Sequence, residues 1–390
     1  MQMKVKLGDM FEIGSGGTPS KTHPEYYGGD IPWVKTGDLK SEYLYEVEDF
    51  ITEEGLNNSS AKVYDTDTVL IAMYGATIGA TSILKMSACT NQACAAFKKN
   101  EKVIPEYLYY FLKSQKEKFV RDGVGGAQPN ISAGYLKKVE MELPSLEEQK
   151  VIVEILDKIS EVVLKRNQEI QVLDDLIKAR FVELFGSIYD GKFEMKTLPE
   201  IVIDNKNSIK RGPFGGALKK DDFVDEGYLV YEQRHAIHND FEYAKYYITQ
   251  EKYDDMIGFK VIPGDLIISC SGVTLGRIAE IPEGAREGII NQALLKISLN
   301  PEVMLNTFFI QQFRGDEIQE ILFGFSRGSG IPNMPSMGEV KAVKFICPPL
   351  ELQRQYCDFV KQVDKLKLQV QKSLDETQLL FDSLIQQYFG

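Results

Sequence analysis

The stretch LPSLEEQKVIVEILDKI at 143–159 returns, altered but in step, as CPPLELQRQYCDFVKQV at 347–363. Aligned from these starts, 143–186 and 347–390 match without a gap. Pro144 falls on Pro348, Leu146 on Leu350, Glu147 on Glu351 and Gln149 on Gln353, and at the far end Leu176, Phe185 and Gly186 fall on Leu380, Phe389 and Gly390. Apolar residues run at alternating steps of four and three, the pattern of a coiled-coil seam. In the first copy they are Ile152, Leu156, Ile159, Val163, Ile170, Leu173 and Ile177, with Arg166 and Arg180 as exceptions, and in the second Val360, Val363, Val370, Leu374 and Phe381, with Tyr356 leading and Lys367 and Thr377 as exceptions. Each segment follows a proline, which cannot sit inside a helix, and stops at a glycine. About 37 residues at 1.5 Å each make a rod of about 55 Å. One amphipathic helix of that length is unstable alone. The two copies are therefore expected to bury their seams against each other, antiparallel, with Leu156, Val163 and Ile170 facing Leu374, Val370 and Val363. Two unrelated surface helices would not share a gap-free register and the same Pro-x-Leu-Glu-x-Gln start.

The segments between the helices also repeat, more faintly and in the same order. TVLIAMYGATIGATS (68–82) parallels DLIISCSGVTLGRIA (265–279), NQACAAFK (91–98) parallels NQALLKIS (291–298), and GGAQPNIS (125–132) parallels GSGIPNMP (328–335). Short β-branched and aromatic runs broken by Gly, Pro, Asn and Asp read as strands and turns. Each half adds one helical stretch, near 105–120 and 301–322. The expected class is α+β. Two β-rich domains stand in tandem, each followed by a long helix, with the helices forming an antiparallel coiled coil under pseudo-two-fold symmetry. The expected boundaries are 1–145, 146–187, 188–349 and 350–390.

Charge narrows the function. The net charge is −12 with no strongly basic segment, which argues against a protein that binds nucleic acid unaided, because phosphate contacts normally supply most of the affinity. The start has no secretory signal, and the longest uncharged run, 69–84, is too short to span a bilayer. The five cysteines have no zinc-type spacing and read as small core residues in a reducing cytosol. A cytoplasmic protein without a membrane partner is expected.

Two divergent β-rich domains alternating with two similar helices, each opened by P-x-L-E-x-Q, together with LGDMFEIGSGGTPS and IPWVKTGDL in the first domain, resemble the DNA-specificity (S) subunit of type I restriction-modification enzymes. The resemblance covers the full chain. The second domain departs from it, with RGPFGGALKK in place of GSGGTPSK and YLVYEQRHAI in place of PWVKTGDLKS. The resemblance implies that each globular unit is a target recognition domain reading one half of a split, asymmetric site in double-stranded DNA. It implies that the helices set the spacing and dock two modification (M) subunits, and that restriction (R) subunits complete the complex. It further implies that the complex is an adenine-N6 DNA methyltransferase and ATP-dependent endonuclease, that S-adenosylmethionine, ATP and Mg are expected in the partner subunits, and that this subunit is non-catalytic with no cofactor of its own. Basic partners would reconcile an acidic chain with DNA.

Base edges are read by paired donors and acceptors, Arg and Lys favouring guanine, Asn and Gln favouring adenine. Such side chains must project from loops where the backbone comes close to the duplex. The candidates in the first domain are Lys21, Lys35, Thr36, Tyr74, Thr77, Gln92, Gln128 and Asn130. In the second they are Lys210, Arg211, Gln233, Arg234, His235, Ser271, Thr274, Arg277, Asn291, Gln292, Arg327 and Asn333. Against this, Gly-x-Thr-x-Gly can be a plain turn with a satisfied hydroxyl, Asn-Gln can be a buried structural amide pair, and Arg277 can pair with Glu280. Arg277 is the sharpest candidate, because its counterpart after Gly79 is Ala80.

Enzymatic readings find no support. There is no G-x-x-x-x-G-K-[ST] loop and no G-x-G-x-x-G after a strand with its acidic partner. Asn333-Met-Pro-Ser only faintly echoes an N-P-P-Y box, and His235 and His238 lack two further ligands for a metal. A self-sufficient methyltransferase is thereby disfavoured. The remaining alternative is a coiled-coil scaffold that joins proteins without touching DNA.

Overall fold

The computed structural model describes residues 3–123, 130–214, 216–324 and 332–390. The chain divides into two compact units, 1–168 with 371–390, and 169–370. The long helices are Leu146–Phe185 and Leu350–Phe389, 40 residues each. Each unit therefore holds one β-rich domain and half of each long helix.

Every seam position named from the sequence is buried or half-buried. In unit 1, Ile152, Leu156 and Ile159 share a core with Phe381, Leu384, Ile385 and Tyr388. In unit 2, Phe181 and Phe185 lie 5.5 Å from the Tyr356 ring, and Lys367 pairs with Asp174 at 2.5 Å. Advancing along the first helix from 174 to 185 means retreating along the second from 367 to 356, so the pairing is antiparallel. The register differs from the expected one, since Leu156 shares its core with Phe381 and Ile385 rather than with Leu374. Aromatic packing in each unit sets it: Tyr110 lies 6.2 Å from Phe381 in one, and Tyr356 nests between Phe181 and Phe185 in the other.

The first domain contains β1 (Met3–Lys6), β2 (Ile13–Ser15), β3 (Tyr27–Val34), β4 (Tyr43–Leu44), β5 (Phe50–Ile51), β6 (Val63–Tyr64), β7 (Val69–Ala72), β8 (Thr81–Leu84), β9 (Ala88–Thr90), β10 (Cys94–Phe97) and β11 (Glu140–Leu143). The second contains β12 (Met195–Thr197), β13 (Ile209–Arg211), β14 (Tyr228–Tyr231), β15 (Tyr247–Ile248), β16 (Lys260–Val261), β17 (Leu266–Ser269), β18 (Ile278–Glu280), β19 (Gly288–Ile290), β20 (Leu294–Ile297) and β21 (Lys344–Ile346). The sheet orders correspond: β2-β10-β7-β8 to β13-β20-β17-β18, β5-β3-β9-β6 to β15-β14-β19-β16, and β1-β11 to β12-β21, with β4 an extra edge strand in the first domain. One parallel pair recurs, β3 with β9 and β14 with β19, while the parallel pairing of the extra strand β4 with β8 belongs to the first domain. The central strands β7 and β17 are buried along their whole length, which is why they read as continuous apolar runs rather than alternating ones.

The repeated glutamine now has a physical reason. Gln149 is fully buried; its Oε1 accepts from Ile104 N at 2.9 Å, and its Nε2 donates to the Lys102 and Pro144 carbonyls. Gln353 does the same, accepting from Leu305 N at 2.9 Å and donating to the Val303 and Pro348 carbonyls. In each unit one amide ties the start of the long helix to the loop that enters the domain's own helix. Replacing it would orphan a buried N–H and two carbonyls. Cys89, Cys94 and Cys270 are buried among apolar residues, and burial pushes the Cys94 and Cys270 thiols up to about 12, as inert core sulfurs should be.

Candidate nucleic-acid interface

Five turns converge in each unit, laced by backbone hydrogen bonds. In unit 2, Gly212 N donates to Leu294 O, Asn291 N to Tyr231 O, Cys270 N to Ala293 O, Met334 N to Cys270 O and Gly272 N to Pro332 O, all at 2.8–2.9 Å. In unit 1, Gly17 N donates to Thr90 O, Asn91 N to Val34 O, Met73 N to Ala93 O and Ile131 N to Met73 O, at 2.8–3.0 Å. Isolated bridges join Tyr74 to Asn130 and Ser271 to Asn333. Segments far apart in sequence, and carrying most of the candidate readers, therefore meet at one end of the sheets in each domain.

Glycine makes this packing possible. A Cβ on Gly16 would stand 1.8 Å from Thr90 O, and one on Gly212 1.8 Å from Asn291 O. These two positions are equivalent, and at both the neighbouring turn comes too close for any side chain. Trp33 is part of the same device, its Nε1 donating to Gly17 O at 3.0 Å.

Several candidates sit where a reader should. Tyr74, Gln92, Asn130, Arg234, Arg277, Gln292 and Asn333 are exposed, and Thr36, Gln233 and Ser271 half-buried at the same turns. Gln233 Nε2 donates to Ser271 Oγ at 3.0 Å, and Thr18 Oγ1 contacts Gln92 Oε1. Arg234 lies over the Tyr243 ring at 4.4 Å, with Asp240 3.6 Å away. Arg277 forms no ion pair among the described residues, with Glu280 or any other acid; it shares a cleft of about 420 Å³ with Arg314, Ile237 and Val273. Burial first, and the Arg277 cation second, hold the Arg314 guanidinium below its ordinary value. Arg211 lies 5.2 Å from the exposed Phe214 ring.

Other candidates are committed elsewhere. His235 is fully buried and is not a base reader. Its Nδ1 accepts from Glu232 N at 2.9 Å and its Nε2 donates to Tyr243 O. In unit 1 the same position is held by Asp38, whose Oδ2 accepts from Lys35 N at 2.7 Å. His235 thus replaces the aspartate of the W-x-x-x-G-D motif as a turn cap, and the alignment of YLVYEQRHAI with PWVKTGDLKS is out by one residue. Shifting it by one would have exposed the substitution. Asn91 and Asn291 accept from Ala93 N and Ala293 N through Oδ1. They are half-buried turn formers, while Gln92 and Gln292 are exposed, so the buried amide pair is half right. Thr77 Oγ1 is used within its own turn, on Tyr74 O at 3.1 Å. Lys35 pairs with Asp49 at 2.5 Å, and Lys210 turns to the Phe259 ring at 4.8 Å, away from the converging turns. Lys21 is exposed beyond the Gly16–Thr18 turn. Gln128 and Arg327 lie outside the described residues. The sequence reading passed over Ser15, Thr18, Phe214, Ala76 and Val273, which occupy paired positions of the two frames. Among the described residues no group of His, Cys, Asp and Glu could hold a metal ion, and no helix is long and apolar enough to cross a membrane.

This duplicated frame of converging loops on paired helices defines a tandem recognition-domain protein. The family model described as "Type I restriction modification DNA specificity domain" matches residues 2–174 and 212–377, and the chain belongs to that family. It is 32% identical over 185 residues to the type I restriction enzyme MjaIX specificity subunit of Methanocaldococcus jannaschii, covering 46% of this chain and 43% of the relative. It is 30% identical over 158 residues to the EcoR124I/EcoR124II specificity subunit of Escherichia coli, covering 39% of each. These matches span about two fifths of each relative's length. The MjaVIII specificity subunit matches at 22% identity over 93% of this chain and 86% of its own. The fold is like that of the S subunit of a type I restriction-modification system from M. genitalium, with a TM-score of 0.54, 17% identity and coverage of 100% and 96%. A chain from a study of complex assembly in a type I system aligns with a TM-score of 0.63, 15% identity and coverage of 99% and 97%.

Proposed function

We propose that this chain is the DNA-specificity subunit of a type I restriction-modification complex, each unit reading one half of a bipartite asymmetric DNA site. The observation that carries the reading is the same loop frame built twice with different side chains at its rim. Ser15, Thr18, Ala76 and Ala80 stand in unit 1 where Arg211, Phe214, Val273 and Arg277 stand in unit 2. A pure scaffold has no use for convergent exposed polar loops; a reader of two unlike half-sites needs them. The 40-residue helices, about 60 Å long at 1.5 Å per residue, fix the spacing between halves.

The helices also carry the docking surfaces for two modification subunits. Val162, Leu164 and Leu176 correspond to Leu366, Leu368 and Leu380 in the repeat, and all six are between 41% and 72% exposed. Unit 1 holds Val162, Leu164 and Leu380; unit 2 holds Leu366, Leu368 and Leu176. The same apolar set is therefore offered twice, as two copies of one partner require. Methyl transfer, ATP-driven cleavage and their cofactors, S-adenosylmethionine, ATP and Mg, reside in the modification and restriction subunits, in the cytoplasm. This chain contributes recognition alone. Exchanging 1–142 for the equivalent domain of another family member and sequencing the methylome tests the reading. One half of the methylated motif should change and the other persist; a motif changed in both halves, or in neither, contradicts it. Gel shifts at fixed salt should show weak binding by this chain alone and tight, specific binding once modification subunits are added, as its charge of −12 requires.

A further inference from the structure

Val273 is 99% exposed, at the apex of the turn between β17 and β18. The turn is tightly held. Gly272 N donates to Pro332 O at 2.9 Å, Leu275 N to Gly272 O at 3.1 Å and Gly276 N to Ser269 O at 3.0 Å, and Arg277 N donates to Ser269 Oγ at 2.9 Å. The other branched apolar side chain of the turn, Leu275, packs onto the unit 2 core. The isopropyl group of Val273 is thus held out in water by a fixed backbone, beside the hydroxyls of Ser271 and Thr274. It borders the cleft that Arg277 and Arg314 make cationic. An apolar tip flanked by polar groups and cations matches one chemistry on a duplex. The 5-methyl of thymine is the apolar feature of the major-groove edges, and it is bordered by phosphates.

We infer that Val273 is a specificity-determining residue that contacts the 5-methyl group of a thymine in the half-site read by unit 2. The inference rests on the proposed reading of DNA by this unit. Ala76, at the equivalent tip of unit 1, offers a smaller apolar group, so the two units should differ in how strongly they sense a methyl at that place.

The experiment uses the complete complex with its modification subunits and the duplex defined by methylome sequencing. Each thymine of the unit 2 half-site is replaced, one at a time, by deoxyuridine, which removes only the methyl. Wild type should lose about fourfold in affinity at one thymine, the effect of one buried carbon. Val273→Ser should bind thymine and deoxyuridine duplexes alike, and Val273→Ala should show a reduced difference. Deoxyuridine in the other half-site should affect wild type and Val273→Ser equally. Wild-type binding indifferent to deoxyuridine at every position of that half, or an undiminished penalty in Val273→Ser, would overturn the contact while leaving site-specific binding intact. A complex that shows no sequence preference for any duplex would overturn the reading of DNA itself and this contact with it.

Discussion

The two recognition units are most informative where they disagree. Their strands follow one order, their glutamines Gln149 and Gln353 make one set of bonds, and an added Cβ on Gly16 or on Gly212 would clash with a backbone carbonyl at the same 1.8 Å. At the rim the agreement ends: small Ser15, Thr18, Ala76 and Ala80 face large Arg211, Phe214, Val273 and Arg277 in the corresponding seats. Constraint follows the backbone, because buried N–H and C=O groups must be paired wherever the turns meet. Freedom is left to rim side chains, of which Ser15, Ala76, Phe214, Val273 and Arg277 are exposed and Thr18, Ala80 and Arg211 half-buried. On the proposed function, a protein duplicated in this way can change what it reads without disturbing how it folds.

The largest effect that sharpens this contrast lies in the shared frame. Leu156→Ala removes a fully buried side chain from the unit 1 core and should destabilise that unit by about 2–5 kcal/mol. Hydrogen exchange should report it at Val69–Ala72 and leave Leu266–Ser269 unchanged; equal loss at both would mean the units do not behave separately. Next come the close approaches. Gly16→Ala and Gly212→Ala each force a turn away from a carbonyl and should cost about 1–3 kcal/mol alike. Thermal melts showing one tolerated and the other not would break the equivalence of the frames. The turn cap gives a smaller difference. His235→Ala should cost about 1 kcal/mol, by loss of the bond from Glu232 N, without changing the methylated motif. A changed motif would restore His235 as a reader.

The smallest effect separates the units by pH. Burial, and after it Asp157, raises the Glu42 carboxyl, while Lys113 and Tyr43 oppose the shift. Burial likewise raises Asp157, whose Oδ1 accepts from the Tyr110 hydroxyl at 2.7 Å. A carboxyl raised in the folded state adds stability that is full below its ordinary value and is lost as pH rises through the raised one. Unit 1 should therefore firm up on acidification from neutral pH toward 5, and Glu42→Gln should flatten that response. Protection factors in unit 1, corrected for the intrinsic pH dependence of exchange, that fall on such acidification, or a response unchanged in Glu42→Gln, would contradict the assignment.

The helices were legible because a heptad pattern repeated without gaps admits one interpretation, and every seam residue named from it is at least half-buried. The helix register was not, since it depends on Tyr110, Phe381, Tyr356 and Phe185 finding partners from other elements. The strand order could not be read from short apolar runs, although the faint repeat did mark which loops correspond. Within those loops Arg277 was recoverable as a polar residue beside glycine, and Asn333 as a polar residue in a segment that recurs in both halves. Val273 and Phe214 were not, because an apolar residue in a short run reads as core until its exposure is known. His235 was misread because composition alone does not distinguish a ring nitrogen that caps a turn from one that faces solvent.

The central claim is that the rim side chains, carried on a common frame, decide what each unit reads. Transplanting the unit 1 set into unit 2 tests it most directly: Arg211→Ser, Phe214→Thr, Val273→Ala and Arg277→Ala in one chain, assembled with its modification subunits and followed by methylome sequencing. The account predicts a complex that assembles and melts as before, with one half of the motif altered or relaxed, and the other half and the spacer retained. An unchanged motif at unchanged occupancy, or a change in both halves, would contradict it.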